Sequence, residues 1–124
     1  MSDGIRGPQL KECFDRFPGL SHGVKAWMVR QVVYKPSWLK QDVGKVLDIW
    51  HDIQEAQLQK FSRNLGGPYK SRREKIKCQR RRYVARMYLK AYKDHRERLV
   101  EFLLKSVPTI MLVKKSFYED KVDD

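Results

Sequence analysis

From position 71 to position 106 the chain reads SRREKIKCQRRRYVARMYLKAYKDHRERLVEFLLKS, with no glycine or proline to interrupt it. A run of that length, dense in Arg, Lys, Glu and Leu, does not suit strands joined by turns. It predicts one helix over 71–106, about 54 Å long at ~1.5 Å per residue. Ser71, followed three positions later by Glu74, has the form of a capping box. The hydroxyl takes one orphan amide of the first turn and the carboxylate reaches back to another. At the other end Val107 precedes Pro108, and a residue before proline is driven out of helical space.

Placed at 100° per residue, Val84, Tyr88, Ala91, His95, Leu99 and Phe102 form one apolar stripe, with Arg82, Arg86, Lys90 and Lys93 opposite. On that stripe His95 is expected to be a satisfied core residue. The first third departs from the pattern. Arg73, Lys77 and Arg81 occupy the line where the stripe should continue, and only Ile76 and Cys78 are apolar there. A helix polar on every side either crosses solvent or meets a partner. Between positions 70 and 105 there are 14 basic and 4 acidic residues, which places +10 of the net +12 on this segment. Such a concentration repels itself and destabilises the compact state. Phosphate, anionic lipid headgroups or an acidic protein surface would offset it.

The remaining chain predicts shorter helices. Pro8 suits a first turn, and Leu10, Cys13, Phe14 and Phe17 recur at helical spacing, so a helix is expected over 8–17, closed by Pro18 and Gly19. A second is expected over 21–35, capped by Ser21, with Val24, Trp27, Met28 and Val32 on one face and Pro36 at its end. A third, over 38–61, carries the cleanest stripe: Leu39, Val43, Val46, Trp50, Ile53 and Phe61. The turn SRNLGGPYK, over 62–70, is short enough to make the third and long helices antiparallel neighbours. Residues 109–124 are expected to form an extended tail that ends in the acidic run EDKVDD. The fold class predicted is all-α: a small single-domain bundle dominated by a helical hairpin with a protruding basic helix.

Catalytic patterns are missing from the sequence. There is no GxxxxGK[ST], GxGxxG or GxSxG, and His22, His51 and His95 stand far apart. His51 with Glu55 at i, i+4 reads as a surface pair, and no carboxylate pair sits in an apolar context. The expectation is a non-enzymatic protein without cofactor or metal. Cys13 and Cys78, 65 positions apart, belong to no metal-ligand spacing and point to a reducing compartment, with a single bridge left open. No apolar run approaches the ~20 residues of a membrane span. The first residues carry Asp3, Glu12 and Asp15 and lack the apolar core of a secretory signal.

The segment RRYVARMYL (81–89) resembles the long helix of GINS subunits, in which an Arg-Tyr pair precedes Tyr-Leu. The resemblance covers nine of 124 residues and implies a helical replication module. The acidic balance usual in that family is missing here, so no residue role is carried over. Met87-Tyr88-Leu89 approaches the LYR signature of small mitochondrial proteins, but Leu89 stands where arginine is expected.

Three Trp, six Tyr and five Phe are a generous aromatic supply for a chain that is 34% charged. Aromatics and arginine are the residues enriched at interfaces. The function expected is therefore that of a structural or accessory subunit of a large assembly, of the mitochondrial respiratory-chain or ATP synthase type. Arg72, Arg73, Lys77, Arg80, Arg81, Arg82 and Arg86 are the anion- or partner-binding residues, and Trp27, Trp38, Tyr69 and Tyr83 the interface anchors. The expected partners are other protein subunits, with rRNA or anionic lipid headgroups as further candidates. The alternative is an RNA-contacting ribosomal or ribonucleoprotein component, with the cations along phosphates and Tyr69 or Tyr83 stacked on a base. The expected location is the mitochondrion, with cytosol or nucleus as alternatives.

Overall fold

The structure, a computed structural model, describes residues 12, 15–63 and 66–112. Among them all regular secondary structure is helical and no strand is present. The chain is a small all-α bundle, as its sequence predicts.

Helix α1 spans His22–Tyr34. The Ser21 hydroxyl accepts the Val24 amide at 3.2 Å, satisfying one orphan donor of the first turn. Its inner face buries Val24, Met28, Val29 and Val32, and the Lys25 stem beside them. Pro36 ends it and opens a 3₁₀ turn, Pro36–Lys40. That turn is a correction to the helix expected from position 38. Asp42 supplies the true start of the next helix: its carboxylate accepts the Lys45 amide at 3.3 Å and its carbonyl the Val46 amide. Helix α2 then spans Val43–Arg63 and buries Val46, Leu47, Trp50, Gln54 and Phe61.

After the turn, where Gly67 has a φ of +80° that disfavours any side chain, α3 spans Arg72–Asp94. The capping box forms with one shift. Ser71 Oγ accepts the Glu74 amide at 3.2 Å, while Glu74 Oε2 accepts the amide of Lys70, one residue before the cap. Three contacts set the course of α3 along α2. The Arg82 side chain donates to Ser62 Oγ, the Tyr88 hydroxyl donates to the Leu47 carbonyl, and the Tyr92 hydroxyl donates to Asp48. Arg82 meets the end of α2 at Ser62, whereas Tyr88 and Tyr92, farther along α3, meet its beginning at Leu47 and Asp48, so the two helices run antiparallel.

The single helix expected over 71–106 is not what forms. It breaks at His95, whose backbone leaves helical space (φ −141°, ψ 47°) while its amide still bonds to the Ala91 carbonyl. Helix α4, Arg96–Glu101, begins on the next residue, passes into a π-helical segment, Phe102–Ser106, and continues as helix over 107–112. Two physical reasons act together. Asp94 and His95 are weak helix formers. More important, α2 starts at Val43, so an unbroken helix would carry Leu99 and Phe102 past the end of its neighbour into water. Turning at His95 instead buries Leu99, Phe102, Leu103, Val107 and Ile110 in the common core. Phe102 there meets Phe17 edge-to-face, ring centroids 5.5 Å apart. His95 is correspondingly exposed, not part of the core. Pro108 does not end the helix, and residues 109–112 are helical where an extended tail was expected. The rest of the tail and most of the helix expected over 8–17 lie outside the described residues.

The centre of the core is aromatic. Trp50 is fully buried, with Trp27 and Trp38 edge-on to it at 5.4 and 5.9 Å, and Trp27 also meets Tyr88 at 5.5 Å. No helix among the described residues is long and apolar enough to cross a membrane.

Candidate nucleic-acid interface

Where α3 leaves its cap, its first three turns face a groove of about 910 Å³ between α1 and α2. From α3 the groove receives Arg72, Arg73, Lys77, Arg80 and Arg81, with Ile76 and Val84 as its apolar floor. From α1 it receives Trp27, Arg30, Gln31 and Tyr34, and from α2 Gln54 and Gln57. Six cations thus surround it and no carboxylate lines it. Among the described residues none of the six is in an ion pair: Arg96–Asp48 is the only arginine salt bridge. Among the described residues no carboxylate compensates their charges, which face the groove and solvent. A second depression of about 470 Å³ shares Arg30, Ile76, Arg80 and Val84 and adds Tyr83, so the basic surface continues around α3.

The local reasons are legible. Arg72, Arg73, Ile76, Lys77, Arg80, Arg81 and Val84 recur at three and four positions, which puts them on one side of a helix. Arg30 and Tyr34 repeat the spacing on α1. Gln54 and Gln57 lie between Trp50 and Phe61 at helical spacing, that is, along the apolar stripe of α2. Gln54 is only 2% exposed, and its side-chain amide nitrogen has no hydrogen-bond partner. A buried amide without a partner costs about 1–3 kcal/mol. Among the described residues it is the one buried polar group in the wall of the groove left in that condition.

The predicted residues divide. Arg72, Arg73, Lys77, Arg80 and Arg81 come together in the groove. Arg81 also lies over the Phe61 ring, 5.6 Å from its centroid. Arg82 instead turns to α2, donating to Ser62 at 3.3 Å, and Arg86 is exposed outside the groove. Among the aromatic residues, Trp27 is half-buried and lines the groove, while Trp38 packs on Trp50 with the Lys35 ammonium 4.4 Å above its ring. Tyr69 is half-buried before α3, and Tyr83 is 53% exposed. The residues missed were Arg30, Gln31, Tyr34, Gln54 and Gln57. The available signal was the pair of glutamines interrupting an otherwise apolar stripe.

A different cluster, His51, Asp52 and Glu55, brings three metal-type ligand atoms within 4.8 Å of one another. His51 Nδ1 lies 3.4 Å from Asp52 and 3.5 Å from Glu55, and its ring packs on Tyr92 at 4.5 Å. Both carboxylates are exposed, and an imidazole paired with them accounts for the geometry without a metal. Cys78 is a buried free thiol, and Cys13 lies outside the described residues.

Comparison with protein-family models, with curated proteins and with solved structures finds no match to this chain.

Proposed function

We propose that this protein is a non-enzymatic component of a ribonucleoprotein assembly, contacting RNA through the first turns of α3 and the facing side of α1. One observation carries this reading: six cations surround a groove that no carboxylate lines, with Trp27 and Tyr34 among them. Cations without ion-pair partners among the described residues lose little on meeting phosphate, and each phosphate contact releases condensed counterions. Aromatic faces beside such a track are what unpaired bases stack on. Tyr34, 86% exposed at the groove, supplies such a face, whereas Trp27 and Trp38 are engaged with Trp50 in the core.

A second reading, a subunit of a protein complex such as a mitochondrial respiratory-chain or ATP synthase assembly, draws on a different surface. Leu104 and Leu112, on the last helical stretch, are both exposed. A tagged pull-down from cells, halved and treated with or without ribonuclease, separates the two. Loss of partners on ribonuclease treatment supports the RNA component. Partners that persist through ribonuclease and moderate salt favour the protein-complex subunit.

A further inference from the structure

We infer that the groove between α1, α2 and the start of α3 takes unpaired nucleotides of a single RNA strand, with Gln54 donating to the edge of a base. The inference rests on the RNA reading and narrows it from a basic surface to a particular subsite. Its size is the first argument. A volume of about 910 Å³ lies within the ~300–1,000 Å³ of small-ligand clefts, room for one or two nucleotides but not for a duplex.

The chemistry of the walls is the second argument. An acidic peptide needs donors and positive charge alone. This groove adds three glutamines, Gln31, Gln54 and Gln57, to its cations. An amide presents a donor and an acceptor side by side, the pattern that matches a base edge. Recognition of RNA sequence is concentrated on unpaired bases, splayed onto aromatic or guanidinium planes and read on their exposed edges. Tyr34, 86% exposed at the rim, is free to be such a plane.

Gln54 is the third argument and the deciding one. It is 2% exposed, its side-chain nitrogen has no partner, and it belongs to the wall of the groove. A core position on the stripe of α2 would be filled at lower cost by leucine, as position 47, two turns earlier on the same face, is. An amide kept there without a partner, its nitrogen closed off from solvent at the wall of the groove, is explained by a ligand acceptor toward which the side chain turns outward.

The test uses the full chain with a fluorescein-labelled single-stranded RNA 12-mer, the matching RNA duplex, and a polyglutamate peptide of equal charge. Binding is read by fluorescence anisotropy across a salt series. Wild-type protein is expected to hold the strand more tightly than either duplex or peptide. Gln54→Leu is expected to weaken strand binding by about tenfold, the scale of one hydrogen bond, at unchanged salt slope. Its Tm should be equal to or above that of the wild type, because the substitution removes an unpaired buried amide; a merely structural Gln54 would lower Tm and weaken strand and duplex alike. Tyr34→Ala should weaken strand binding by about tenfold with no change in Tm. Wild-type affinity of Gln54→Leu for the strand, or equal wild-type affinity for duplex or polyglutamate, overturns the inference while RNA binding as such stands. If neither strand nor duplex binds at about 50 mM salt, where phosphate contacts are strongest, the RNA reading itself fails and the inference with it.

Discussion

Tyr88 shows how much a single side chain settles. It is fully buried, touches Trp27, and its hydroxyl donates to the Leu47 carbonyl at 2.8 Å. Burial pushes its phenol far above the ordinary range, which keeps it a neutral donor at neutral pH. Tyr88→Phe keeps the ring and removes the bond; urea denaturation is expected to show a loss of about 1–2 kcal/mol. Spacing alone places Tyr88 on the buried stripe, but its bond across to α2 is not foreseeable. Spacing tells which way a side chain points along its own helix, not which carbonyl another helix will bring to it.

At the scale of elements, two kinds of contact hold the helices in register. The first is polar and pH-sensitive. Asp48 on α2 accepts from the Tyr92 hydroxyl of α3 and pairs with Arg96 at 3.5 Å. The hydrogen bond from Tyr92, helped by the Arg96 charge, holds the Asp48 carboxyl below its usual range, and the same bond raises the Tyr92 phenol. The signs follow. Asp48's contribution is complete above the unfolded aspartate value of about 4 and is lost as pH falls through its lower folded value. Tyr92's contribution is complete below about 10 and is lost as pH rises beyond that. Thermal melts of Asp48→Asn across a pH series should therefore show a shallower loss of Tm on the acid side than wild type.

The second kind of contact is steric. A Cβ on Gly23 of α1 would lie 3.1 Å from Val84 Cγ2 on α3, whereas one on Gly44 of α2 would meet the capping carboxylate of Asp42 at 3.3 Å and the end of the Arg96 side chain at 3.4 Å, both side-chain tips that can give by a few tenths of an ångström. Gly→Ala in a helix gains up to about 1 kcal/mol from propensity. Gly44→Ala should realise roughly 0.5 kcal/mol of it, while Gly23→Ala should show no gain, because α1 must move off α3. Chemical denaturation of the two variants side by side measures the difference. The sequence offered Gly23 only as a weak first turn; its place as the point of close approach belongs to the packed structure.

For the whole molecule the dominant quantity is charge. Six cations around one groove set the expected salt response of RNA binding. At about −0.7 per phosphate contacted on a single strand, six contacts give a slope near −4 in log K against log salt. Raising salt from about 50 to 200 mM should then weaken binding by roughly two to three orders of magnitude. Lys77→Glu, Arg80→Glu and Arg81→Glu together should abolish binding while the circular dichroism spectrum stays helical, since all three side chains are exposed. Arg82 is left out of that set because its bond to Ser62 ties it to α2.

Helical class, the α1 boundaries, the capping box at Ser71 and the five cations of α3 that meet in the groove are local properties. They depend on side-chain spacing and on caps within four residues, so the sequence alone determined them. The break at His95, the 3₁₀ turn before α2 and the facing wall of the groove depend on where neighbouring helices end. A helix stops being worth extending when its partner runs out, and no local pattern records where that happens. Arg30 and Tyr34 acquire meaning only because α1 crosses opposite Arg72 and Arg80, and Gln54 only because it is buried at that crossing. The chain therefore carries its charge in its sequence, but the groove that gives the charge a shape is a property of the tertiary structure.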